Sequence, residues 1–80
     1  MRLTVISESH ELARMFLRAN RVKLEDALVV VDANHAHGRD FSGVTFVVGS
    51  PHPLLMREVR RRADVSGGSI RYVNALDKVT

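Results

Sequence analysis

Two apolar runs organise the chain: Ala27-Leu28-Val29-Val30-Val31, closed by Asp32, and Val44-Thr45-Phe46-Val47-Val48, closed by Gly49-Ser50. Both are short, rich in β-branched residues and ended by turn formers, which predicts buried strands rather than helices. Upstream, Leu3 to Ile6 has strand length. Ser7 follows it at an N-cap position, and Glu8 and Glu11 favour the start of a helix over Glu8 to Asn20. Leu12, Met15, Phe16 and Ala19 recur there at helical spacing, with Glu11, Arg14 and Arg18 on the outer side and Asn20 as C-cap. A charged connector, Arg21 to Asp26, leads into the strand Ala27 to Asp32.

The connector 33–43 sets the topology. It is too long for a tight hairpin and just long enough for a crossover, so the strands on either side of it are expected to run parallel. After Gly49, Ser50 is expected to cap a second helix, with Pro51 at its first position or Pro53 in its first turn. That helix turns Leu55, Val59 and Ala63 inward and Arg57, Arg60, Arg61 and Arg62 toward solvent. Ser66-Gly67-Gly68-Ser69 ends it, and Ile70 to Ala75 alternates like a fourth strand. The expected architecture is one α/β domain over residues 1–80, β-α-β-β-α-β, with a mainly parallel four-stranded sheet and two helices, Rossmann-like in plan. Periodicity predicts a core that includes Leu3, Val5, Leu12, Phe16, Val29, Val31, Val44, Phe46, Val48, Leu55, Val59, Ile70 and Val73.

Composition narrows the setting. With 45% hydrophobic and 26% charged residues the chain belongs with globular proteins rather than disordered ones. The absence of cysteine excludes disulfides and thiolate-held zinc and suits a cytoplasmic location. Met1 to Ile6 meets the polar cluster Ser7 to His10 too early for a signal peptide, and no apolar run has membrane-spanning length. A domain of 80 residues buries a modest core, so association with a second copy or another protein is expected to add stability. Ten of the twelve basic residues are arginine and the formal charge is +3, which permits a nucleic acid, a membrane surface or an acidic protein as partner without choosing among them.

Candidate chemistry is sparse. The carboxyl edge of a parallel sheet would display Ser7, Asp32, Gly49 and Ser50, where helix N-termini can hold a phosphate. No glycine-rich phosphate loop stands there, however, and Glu8 puts a carboxylate in its place. His35 and His37, with Asp32 and Asp40 nearby, have the residue types of an imidazole and carboxylate metal site, although a solvent-facing crossover loop accounts for them more cheaply; Asp32, His35, His37 and Arg39 form the candidate loop site. No nucleophile motif or carboxylate pair supports catalysis, and no cofactor is expected. The arginine cluster is the most distinctive surface feature: Arg57, Arg60 and Arg61 share a helix face and are the candidate partner-binding residues. The competing account is a solvated face neutralised by Glu58 and Asp64.

The stretch from His35 to Gly49, with Gly38, Asp40 and Phe41 at the Gly, Glu and Phe of the motif and His37 in place of its lysine, resembles the strand-loop-strand segment in the second RecA-like domain of superfamily 1 helicases. The fold implied is half RecA-like, but the Walker A lysine, the Mg²⁺-binding acidic pair and the arginine finger are missing. The whole-chain order of strand, amphipathic helix, valine-rich strand, Gly-containing loop and strand also resembles small accessory proteins of actinobacterial viruses. That resemblance implies action by binding a host protein in the host cytoplasm, not catalysis. Three functions are therefore expected in order: a non-enzymatic interaction protein, a nucleic-acid-binding module using the arginine face, and a nucleotide or phosphate binder at the carboxyl edge.

Overall fold

The computed structural model describes residues 3–80; Met1 and Arg2, part of the opening segment read above, lie outside the described residues. β1 (Leu3–Ser7) leads to α1 (His10–Ala19), and a short 3₁₀ turn (Leu24–Asp26) leads to β2 (Ala27–Val30). Then come α2 (Ala33–Ala36), β3 (Val44–Val48), α3 (Pro53–Ser66) and β4 (Ser69–Val73). The sheet order is β2-β1-β3-β4, and all three pairings are parallel. The Rossmann-like β-α-β plan is thus present, with β1 at the centre and a third, short helix in the connector.

Strand alternation divides the core in two. Ile6, Val30 and Val47 face one side, where Ala36, Phe41, Leu55, Met56, Val59 and Ala63 cover them. Val5, Phe46 and Val48 face the other, packed on Ala13, Phe16 and Leu17 of α1. Phe16 and Phe46 meet with ring centroids 5.6 Å apart and tilted by 43°, a favourable aromatic geometry. Strands buried on both faces are why the sequence reads as continuous apolar runs rather than as a strict alternation.

Several expectations shift. The second strand ends at Val30, and Val31 is only half-buried because the chain already turns toward α2. Val44 opens β3 at the amino edge and is 45% exposed. The buried stripe of α1 is Ala13, Phe16 and Leu17, rotated toward the sheet from the predicted line, with Leu12 at its margin. α1 is capped by Ser9, whose Oγ accepts the Leu12 N–H at 3.2 Å, and Asn20 is its C-cap as expected. Arg21 follows in the left-handed region (φ 55°), which lets the Val22 N–H reach Leu17 O at 2.9 Å. α3 begins two residues later than Ser50 and Pro51 suggest: His52 is its N-cap and Pro53 its first residue.

The connector is more structured than its polar sequence implies. Asp32 caps α2, and Phe41 buries its ring fully in the α3-side core. Gly68 makes that possible, since a Cβ there would overlap the Phe41 carbonyl oxygen; Ser69 N donates to Gly43 O at 3.1 Å beside it. Among the described residues, no helix is long and apolar enough to cross a membrane.

Candidate interaction surface

β1 and β3 are neighbours whose following helices lie on opposite sides of the sheet, so their carboxyl ends flank the crevice where folds of this plan bind ligands. Here that crevice is occupied by the chain's own groups. Glu8 Oε1 accepts the Ser50 N–H at 3.0 Å, across 42 positions of sequence. Ser7, fully buried, donates its hydroxyl to Ser9 O at 2.7 Å and accepts Ser9 N–H at 3.3 Å. His52 Nδ1 accepts the Leu54 N–H at 3.1 Å. Gly49 adopts φ 75°, and a Cβ there would collide with the Glu8 carboxylate. The adjoining cleft at the ends of β3 and β4, about 370 Å³, is lined by Ser50, Tyr72, Asn74 and Asp77 and adds a second carboxylate. With Glu8 on the Ser50 N–H, electrostatics oppose a phosphate at this edge.

The candidate loop residues serve the local fold. Asp32 Oδ1 accepts the His35 N–H at 3.1 Å, and its Oδ2 lies 3.5 Å from His35 Nδ1. Arg39 Nε donates to His35 O at 3.3 Å. His37 turns away toward α3, 3.5 Å from Glu58 Oε1 and 3.3 Å from Arg62 Nη2. The two histidines are therefore not brought together, and the described residues contain no group of three or more metal-ligating side chains. Of the helicase-like segment, Asp40 accepts from Ser42 N at 3.0 Å and Ser42 Oγ at 3.2 Å, and Phe41 is core.

The arginine cluster divides unevenly. Arg62 is not a solvent-facing residue: 27% exposed, it donates through Nε to Glu58 Oε1 at 2.7 Å. Arg61 Nη2 meets both Glu58 oxygens, at 3.0 and 2.9 Å. These bonds, Arg62 first and Arg61 next, hold the Glu58 carboxyl below the usual glutamate range. Arg60 lies on the flank toward the sheet edge, where its Nε and Nη2 both donate to Tyr72 Oη, at 3.2 and 2.6 Å. Arg57 makes no hydrogen bond or ion pair among the described residues.

At 100° per residue, Leu54, Arg57, Arg61 and Val65 fall within about 80° of arc, opposite Leu55, Val59 and Ala63. Leu54 is 58% exposed and Val65 is 85% exposed. The outermost face of α3 is therefore a row of two aliphatic side chains about 16 Å apart with two arginines between them. The sequence pointed to the arginines and missed the aliphatic ends, which become visible only once the helix start at Pro53 fixes the wheel. No protein-family model matches the chain, and comparisons with curated proteins and with solved structures give no match.

Proposed function

We propose that this chain is a non-enzymatic interaction domain that docks on an acidic protein through the outer face of α3. The observation that carries the reading is the juxtaposition of exposed Leu54 and Val65 with Arg57 and Arg61 on one row. Aliphatic and arginine side chains together are the composition of a protein-binding patch: the former supply desolvated area, the latter pair with carboxylates at the rim. A phosphate backbone would use the charge and leave the aliphatic groups without a role. The internal use of the crevice groups by Glu8, Ser7 and His52 weighs against nucleotide binding and against chemistry at that edge. In the setting that the viral resemblance implies, the partner is a host protein. Two copies meeting through this face would oppose arginine to arginine, so a different chain, and not a homodimer, is the partner proposed.

The test is affinity capture with nuclease treatment, comparing the wild type with Leu54→Ser/Val65→Ser and with Arg57→Glu/Arg61→Glu. A protein retained by the wild type after nuclease, and lost by both variants, is the expected result. Binding to duplex DNA or RNA with a log-log salt slope of about −0.9 per phosphate contacted, lost only in the arginine variant, would replace this reading with the nucleic-acid one.

A further inference from the structure

The face of the sheet that carries α1 is wide enough for two helices and has one. Where the second would lie, the irregular segment 74–80 crosses the sheet, packing Ala75 and Val79 against the cluster of Val5, Phe16, Phe46 and Val48. Its polar anchor is one residue, whose backbone carbonyl accepts from Thr80 Oγ1 at 3.2 Å and whose side chain makes the remaining bonds. Asn20, 5% exposed, donates through Nδ2 to Asp77 O at 2.9 Å and accepts through Oδ1 from Val79 N at 2.6 Å and Thr80 N at 3.2 Å. A second Nδ2 bond, to Phe16 O at 2.8 Å, fixes the orientation of the amide.

From this geometry we infer that the seat under 74–80 is a docking groove for an extended peptide with an aliphatic residue in the place of Val79, and that segment 74–80 is its displaceable internal occupant. The recognition is directed at backbone: a primary amide offers one donor edge and one acceptor edge, which match a peptide C=O and the N–H groups that follow it whatever the side chains are. Side-chain selection falls on the half-buried Ala75 and Val79 positions and on the Thr80 hydroxyl, which donates to Asn20 O at 3.2 Å, since Leu76, Asp77 and Lys78 are exposed. The segment adds no strand to the sheet, so its release breaks no strand pairing. Beside Val79 and Thr80, which help to line it, the seat continues into a groove of about 580 Å³ toward the amino edge, lined also by Leu3, Val44 and Phe46. This site is separate from the α3 face and does not depend on it.

The probe is a labelled peptide with the sequence of residues 74–80, titrated against the full chain by fluorescence anisotropy. In the wild type the tethered segment competes at high effective concentration. Val79→Asp expels that segment while leaving Asn20 and the groove, so this variant is expected to bind the peptide at least about tenfold more tightly than the wild type. Adding Asn20→Ala to it should abolish the binding, as should Val→Asp in the peptide. A Val79→Asp chain that keeps its circular dichroism and shows no saturable binding, or binding that ignores Asn20, overturns the inference. Should Val79→Asp fail to fold, wild-type amide exchange decides: the Val79 and Thr80 amides are expected to exchange at least about a hundredfold faster than those of Val5 and Phe46, and equal protection would overturn it.

Discussion

The Ser50 N–H donates to Glu8 Oε1 at 3.0 Å, tying the turn after β1 to the turn after β3 at the place where related architectures admit a ligand. Gly49 makes room for that carboxylate: its φ of 75° and its missing side chain are both required. Gly49→Ala should therefore lose about 1 to 2 kcal/mol from the left-handed conformation alone, and more from the collision with Glu8. Urea denaturation measures the loss. Combining it with Glu8→Ala should return the steric part and show a non-additive cycle; strict additivity would mean that the two residues do not meet.

Phe41 is the largest side chain brought into the core by the connector. Phe41→Ala is expected to destabilise by about 3 to 5 kcal/mol, a large share of the total for a small domain. A loss below about 1 kcal/mol in chemical denaturation would place the ring at the surface, as a loop residue.

Thr45 is fully buried, and its Oγ1 has no hydrogen-bond partner among the described residues. Replacing that hydroxyl with a methyl group removes a desolvated polar atom at constant shape, so Thr45→Val should stabilise by about 1 kcal/mol. A rise in melting temperature is the expected reading, and a fall would reveal a hydrogen bond to the hydroxyl.

Glu58 gives a pH dependence of known sign. Its carboxyl is held below the ordinary value of 4.5 by the bonds from Arg62 and Arg61, so the folded state favours the ionised form. The associated stability is complete above the unfolded value and is lost as pH falls through the folded one. The stability difference between wild type and Glu58→Gln should be largest near neutral pH and shrink below about pH 4. A difference that stays constant between pH 7 and pH 3 would show that the two arginines do not act through this charge.

Local pattern was enough for the four strands, the two long helices and the parallel plan, but not for the short helix α2. Strands at Leu3, Ala27 and Val44, helices ending near Asn20 and Ser66, and a crossover through the connector all follow from apolar period, turn residues and loop length, because those are properties of neighbouring residues. The tertiary structure decided the rest, because it depends on groups that meet only after folding. Asn20 reads as an ordinary C-cap until Val79 and Thr80, 59 and 60 positions later, arrive at its side chain. Glu8 reads as a first-turn carboxylate until Ser50 meets it. Phe41 looks like a loop residue until Gly68 lets its backbone come close, and Val44 looks like core until its place at the amino edge of β3 leaves it uncovered. The arginines are legible as a run, but only the wheel anchored at Pro53 and the carboxylate of Glu58 separate Arg57, at the surface and without a partner among the described residues, from Arg62, half-buried and paired. Periodicity determines which face of an element is apolar; the contacts between elements determine how much of that face is covered, and by what.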